Sequence, residues 1–484
     1  MESGKIMKKI NLKLAGIACA LIGAALLSAC SKSSKFTPTP TKGGGGTNTA
    51  YTDPAQYGTP YSSMPATKDV IMYEVNINTF PGANFQGVEG RLDSIKALGV
   101  NVIWLMPTYT LGVLKSVGSP YCVKDYQGVN AAFGTLADLR ALVAQAHALG
   151  MAVILDWEAN DTSWDNTWTT ETTYDASIGE TPSKTWYQLD GSGNIEQFST
   201  YTDVAALNFN NNDMRIAMIR SMKYWVYTAN IDGFRCDDAD ATPSDFWTQA
   251  LDTLKNISTH KLLFLAEGTQ GSEITDGFQL GYAFSFYSQL KSLYAGSSFP
   301  TALFSNNATE LASLPSPGIK LRYITNHDDA SSDGSTITEY GGKQGALSAF
   351  VIAAYMDGVP LIYGSQEVGY PSAINFFNVV PVDYTANPDM VAAYKQIIAF
   401  RTAHEAIKTG TLTQYNDANV VAFEKTSGTD DVVILVNTKN SAVTYTAPAA
   451  LQTSSYTNAF AGGSVSLAAP ISLSPYSYLV LTKN

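Results

Sequence analysis

TLADLRALVAQAHALGMAVILD, residues 135–156, contains one complete repeat of the fold. Thr135 and Asp138 have capping-box spacing, Leu136, Leu139, Val143 and Ala146 share one helical face, and Gly150 follows the last turn, so a helix is expected over 135–149. The run Ala152-Val153-Ile154-Leu155 reads as a strand, and it stops on a carboxylate, Asp156. A helix feeding an apolar strand that ends in an acid is the unit to look for elsewhere in the chain.

The unit recurs on both sides. Upstream, Val70–Ile77 reads as a strand, Leu92–Leu98 as a short helix ended by Gly99, and Asn101–Pro107 as a second strand stopped by proline. Downstream, helices are expected at Asp213–Ala229, Ser244–Ile257, Gly345–Tyr355 and Pro388–His404, and strands at Ile231–Asp237, Leu262–Glu267, Lys320–Thr325 and Val359–Tyr363. Seven strands are plain and an eighth is expected between Phe278 and Ser288. Repeated β-α units imply a parallel sheet, and eight of them over residues 67–405 fit a closed (β/α)8 barrel better than an open doubly wound sheet. No Gly-x-Gly-x-x-Gly turn follows the first strand, which argues against a dinucleotide site.

Three stretches break the rhythm. Residues 157–212, after the third strand, are polar and aromatic and too long for a loop, so an inserted subdomain is expected there. From 406 to 484 short strands alternate with polar turns, as in Val432–Val436 and Tyr478–Leu481, which predicts a C-terminal all-β sandwich. The first thirty residues read as an address: Lys8, Lys9 and Lys13 precede an apolar run, Leu14–Leu27, that is too short to span a bilayer and ends at Cys30. Leu27-Ser28-Ala29-Cys30 resembles a bacterial lipobox, which implies cleavage and a lipid on Cys30, with the protein exported and anchored at the cell envelope, on the periplasmic or surface face of the outer membrane. Residues 31–66, with Thr37-Pro38-Thr39-Pro40 and four consecutive glycines at 43–46, are expected to be a flexible tether.

Composition narrows the function. With 45% hydrophobic residues the chain builds a large core and is not disordered. A formal net charge of -12 opposes binding to phosphate backbones, so nucleic acid is not an expected partner. Four cysteines are too few for a disulfide scaffold, and whether Cys122 and Cys236 pair is left open by the sequence.

The acids carry the chemistry. In such a barrel the site lies at the C-terminal ends of the strands, and those ends read Asp156, Asp237, Glu267 and, just past Thr325, Asp328. Clustered carboxylates without clustered His or Cys suggest divalent-metal binding or glycoside hydrolysis by a carboxylate pair. Arg235 lies two residues before Asp237 and so on the same strand face, where a cation favours an ionised nucleophile; Glu267 follows an apolar run, where burial favours a proton donor. Tyr121 and Trp157 are candidate rings for stacking on sugar.

Five ordered segments resemble glycoside hydrolase family 13, the α-amylase family: Asp156-Trp157-Glu158-Ala159-Asn160, Gly233-Phe234-Arg235-Cys236-Asp237, Phe264-Leu265-Ala266-Glu267-Gly268, Ile324-Thr325-Asn326-His327-Asp328 and Pro360–Glu367. The resemblance implies a retaining α-glycosidase acting on α-1,4 bonds, with α-1,6 bonds also open, in starch, maltodextrins or related α-glucans. Asp237 would be the nucleophile, Glu267 the acid/base and Asp328 the transition-state stabiliser, with Arg235, His327, Tyr121, Asp156, Trp157 and Asp161 around the substrate. Asp161 stands where the family usually has a sugar-contacting His, and Glu158 where it usually has an apolar residue. Of the family's calcium ligands only Asn160 persists clearly, so no cofactor is expected to be required, no metal-site residue is assigned, and calcium dependence is expected to be weak or absent. If Glu158, Asp161, Asp238 and Asp240 face the cleft, they are expected to raise the pKa of Glu267 or, alternatively, to favour a cationic group on the substrate or create a cation site; the blander reading, that Glu158 and Asp240 turn to solvent or ion pairs, is favoured. A surface glycan-binding protein without turnover, and an α-glucosidase or transglycosylase on short oligosaccharides, are the alternatives.

Overall fold

The computed structural model describes residues 51–484, so the expected export signal and most of the expected tether lie outside the described residues. Eight short strands close into a parallel barrel: β1 (Met72–Val75), β2 (Val102–Leu105), β3 (Ala152–Trp157), β4 (Gly233–Cys236), β5 (Leu263–Ala266), β6 (Leu280–Tyr282), β7 (Ile319–Arg322) and β8 (Val359–Tyr363), each paired with its sequence neighbours and β8 with β1. The strand expected between Phe278 and Ser288 is β6. Two helices that the sequence reading did not place, Phe284–Tyr294 and Pro300–Ala312, follow it.

Strand parity sorts the side chains. Met72, Val102, Ala152, Ile154, Leu263, Leu265, Leu280, Leu321 and Leu361 form a cluster inside the barrel, while Val153, Leu155, Trp157, Phe234, Cys236 and Phe264 belong to the larger cluster between the strands and the outer helices. The capping box on the helix Leu136–Ala148 is present, with Thr135 and Asp138 exchanging both hydrogen bonds. Cys122 and Cys236 are both buried and free.

The insertion after β3 is a three-stranded sheet of Asp161–Ser163, Tyr201–Ala206 and Gln197–Phe198, packed around the edge-to-face pair Trp168 and Trp186. The C-terminal region is a six-stranded antiparallel sheet plus a two-stranded ribbon. Alternation again decides the packing: Val421, Phe423, Val432, Ile434 and Val436 join the barrel's outer core, whereas Val420, Ala422, Val433 and Leu435 face the domain's own core.

The tether expected over 31–66 is corrected for residues 51–66, which pack on the barrel. The Tyr51 and Tyr57 rings lie under Arg220 and Arg140, 4.0 and 4.1 Å away, Asp53 pairs with Lys223, and Tyr61 stacks on His147 at 4.5 Å. Three tyrosines spaced through a Pro- and Thr-containing segment supply anchors that the Gly- and Pro-rich stretch before them lacks.

Candidate active site

The strand ends meet on one guanidinium. Asp156 and Arg235 are register partners on β3 and β4, and both point into the barrel because they continue the inward series Ala152-Ile154 and Gly233. Arg235 is fully buried. Its Nη1 binds Asp156 Oδ1 at 2.7 Å and also contacts Asp237 Oδ1; its Nη2 lies 2.7 Å from Glu267 Oε2. Arg235 thus touches three strand-end carboxylates at once.

Asp237, Glu267, Asp328, His327, Tyr121 and Asp161 all line one cleft of about 550 Å³ above the barrel. Glu158, Asp203, Asp238, Asp240 and the rings of Phe198, Tyr201, Phe284, Phe376 and Phe377 complete its wall. The Asp328 side chain is about half exposed (54%), while those of Asp237 and Glu267 show 20% and 13% of their surface.

Behind the cleft runs a chain of alternating charge. His327 Nδ1 is 2.6 Å from Glu74 Oε1 and its Nε2 is 2.8 Å from Tyr121 Oη, whose single proton goes to Asp156 Oδ2 at 3.1 Å. Both His327 nitrogens therefore donate. Burial opposes this charge, but Asp328 and Glu74 outweigh it and lift the imidazole to about 10, so His327 is a cation at neutral pH. Asp156 Oδ2 also accepts from Trp104 Nε1 at 3.0 Å.

The two central carboxyls differ. Burial lifts Glu267 to about 7, against the pull of Arg235 and with help from Asp237 and Asp328. Burial also raises Asp237, but Arg235 and a hydrogen bond from Glu158 work to keep it ionised. Asp238, in the left-handed region at φ 35°, turns the chain so that its N–H donates to Glu267 Oε2 at 2.9 Å. A carboxyl lifted to about 7 beside one whose rise Arg235 opposes is the kind of difference that an acid and a nucleophile need.

Two expected contacts are corrected. Trp157 does not line the cleft: being one residue past inward-facing Asp156 it faces outward, fully buried against Tyr109, Tyr126 and Phe234. Asp156 is fully buried behind Arg235 and positions Arg235 and Tyr121 rather than meeting a ligand. The blander reading of the added acids is also corrected, since Glu158 and Asp240 both line the cleft and neither pairs with a cation among the described residues. The carboxylates acting most strongly on Glu267 are nevertheless Asp237 and Asp328, with Asp238 also interacting with it, while Asp161 acts on Glu158.

Sequence reasoning missed Glu74 and Trp104, although each lies two residues past an inward apolar residue, Met72 and Val102. Asp203, Phe376 and Phe377 sit on segments with no periodic signal. The family's calcium site does not fit the residues present. Asn160 Oδ1 accepts from Thr242 Oγ1 at 2.5 Å, its amide reaches the backbone carbonyls of Asp237 and Asp238, and among the described residues no three His, Cys, Asp or Glu side chains converge as a metal site.

Residues 60–397 match the family model "Alpha amylase, catalytic domain". The chain is 26% identical to α-amylase MalA of Haloarcula japonica over 320 residues, 64% of this chain and 46% of that protein. It is 22% identical to α-amylase 2 of Dictyoglomus thermophilum over 384 residues, 76% of this chain and 66% of that one. The chain thus spans between about half and two thirds of the length of these relatives. The α-amylase of Geobacillus thermoleovorans, solved in complex with acarbose, shares the fold with a TM-score of 0.74 at 19% identity, over 87% of this chain and 99% of that one. With the matched segment covering the whole barrel and every strand-end carboxylate, the chain belongs to the α-amylase family of glycoside hydrolases.

Proposed function

We propose that this protein hydrolyses α-1,4-glucosidic bonds in α-glucans by a retaining, two-step mechanism. The observation that carries the reading is the single guanidinium of Arg235 in contact with both Asp237 and Glu267 at the floor of one cleft. Two carboxylates on neighbouring nitrogens of one guanidinium suit the short separation of retaining enzymes, about 5–5.5 Å, rather than the wider gap that admits a water between them.

In the first step Asp237 attacks the anomeric carbon, the glycosidic C–O bond breaks, and the leaving oxygen takes the proton of Glu267. In the second, water attacks the same carbon, Glu267 recovers a proton from it, and the bond to Asp237 breaks. Asp328 faces the developing positive charge of the sugar. Tyr121, stacked on His327 with ring centroids 5.7 Å apart, offers a flat surface beside it. Hydrolysis needs no cofactor in this reading, and chelation by EDTA leaves the rate unchanged.

Release of reducing ends from amylose, absent in Glu267→Gln, tests the activity, and the anomer first formed, read by NMR, tests retention. No release from amylose, pullulan, cyclodextrins or maltotriose would leave a glycan-binding protein without turnover. Chain-length analysis of the products separates endo action from an α-glucosidase or transglycosylase. The apolar run ending at Cys30 supports export and lipid anchoring at the cell envelope; loss of fatty-acid labelling in Cys30→Ser tests it.

A further inference from the structure

One wall of the cleft is acidic, and among the described residues no cation pairs with Glu158, Asp161, Asp203 or Asp238 there. Asp161 opens the inserted sheet, where its register partner is Ala206 on the strand that also carries Asp203. The residue is 5% exposed and lines the cleft, its carboxyl makes no hydrogen bond among the described residues, and Oδ1 is buried without a partner. Leaving a buried carboxyl oxygen unpaired is costly unless a ligand supplies the donor. Glu158, Asp203, Asp237 and Asp238 share this wall.

The nearby cations are committed elsewhere. Arg235 serves Asp156, Asp237 and Glu267, and His327 serves Glu74, Tyr121 and Asp328. The other titratable neighbours of the Asp161 side are Tyr126, which donates to the Asp161 backbone carbonyl at 2.6 Å, Tyr187, bonded to Thr162, and Cys122, whose thiol faces the Asp203 carbonyl. None of these three can carry positive charge. A divalent ion would need a converging cage of ligands, and the described residues form none. An organic ammonium needs only hydrogen-bond acceptors and negative potential, and this wall offers both.

We propose that the Asp161 wall selects a substrate unit bearing an ammonium group, an α-glucoside in which an amine replaces one hydroxyl of the sugar held in the cleft. The inference rests on the glycosidase reading and specifies its substrate class. An ammonium group supplies both the donor that Asp161 Oδ1 lacks and a counter-charge for the wall, where a neutral sugar hydroxyl supplies only the donor.

Isothermal titration calorimetry of the full chain tests this with methyl α-maltoside and its analogues bearing an amine at C2, C3 or C6 of the non-reducing unit, at pH 6. At least one amino analogue is expected to bind about tenfold or more tightly than the neutral parent, and Asp161→Asn is expected to abolish that preference. Equal or weaker binding of every amino analogue, or a preference that survives in Asp161→Asn, overturns the proposal. Should the variant not fold, the wild-type series of neutral parent and amino analogues decides alone. Reducing-end release from amylose is measured in parallel: its absence counts against the hydrolase reading, whereas the calorimetry counts for or against the ammonium preference.

Discussion

At Glu267, burial raises the carboxyl and Arg235 opposes it, and burial prevails, leaving the group at about 7. The donor form is then present below that value and lost above it, so kcat/KM is expected to fall on the alkaline side of about pH 7. Glu267→Gln is expected to cost about a hundred- to ten-thousandfold in turnover of amylose, the usual worth of a general acid. Because Asp237 and Asp328 are the carboxylates that act most strongly on Glu267, Asp161→His should leave the alkaline limb in place; a limb that moves by half a pH unit or more would give Asp161 a comparable part. Trp157 tests strand parity. With its ring outside the barrel, Trp157→Phe is expected to leave KM for maltodextrin unchanged, while Trp157→Ala lowers stability by about 3–5 kcal/mol in urea denaturation.

Between elements, the loops after β4 and β5 are tied by a carboxyl pair. Asp240 Oδ2 accepts from Thr269 N and Oγ1 at 3.0 and 2.9 Å, while Asp240 Oδ1 and Glu273 Oε1 are both buried with no donor among the described residues, an arrangement that one proton shared by the two carboxyls satisfies. A Cβ on Gly268 would fall 1.7 Å from Glu273 Oε1, so only glycine lets the acid/base loop approach this closely. Burial and Asp240 raise Glu273 to about 9 from an ordinary 4.5. A folded-state value above the unfolded one means stabilisation complete below about pH 4.5 and lost as pH rises toward 9. The Tm of the wild type is therefore expected to fall more steeply between pH 5 and 9 than that of Glu273→Gln; equal slopes would show that the pair shares no proton. On the far side of the barrel, fully buried Arg322 on β7 pairs with Glu310 and binds Asn307 Oδ1 at 2.6 Å, and Asp357 links this group to buried Lys425 of the C-terminal sheet. Glu310→Ala strands the guanidinium and is expected to cost about 3–5 kcal/mol in chemical denaturation.

For the whole molecule, the C-terminal sheet is part of the barrel's cover. Val421, Phe423, Val432, Ile434 and Val480 complete the outer core, and Phe423 meets Phe304 edge-on with ring centroids 6.2 Å apart. Removing residues 411–484 would bare that apolar face, so the truncated barrel is expected to aggregate on expression, as judged by its soluble fraction. Residues 51–66 act similarly at the barrel end away from the acidic rim, where Tyr61 and Met64 reach the inner cluster.

What the sequence determined by itself is what local spacing encodes. Seven apolar runs, each short enough for a strand, and the gap left for an eighth named the barrel, and the acids at or just past the ends of four of them named the rim, because backbone geometry sets period and terminus without reference to distant residues. Parity was equally legible at Arg235 and Asp237; carried to residues 156 and 157 it shows that Asp156 and Trp157 cannot both face inward, and carried from Met72 it reaches Glu74. What only the tertiary structure decided is which groups meet. That His327 lies between Glu74 and Tyr121, that one arginine holds three carboxylates, and that Asp161 is left unpaired beside Asp203 all depend on how closing the barrel levels its strands against one another and seats the inserted sheet on its rim. Those distances come from packing between segments tens to hundreds of residues apart, and no short-range pattern records them.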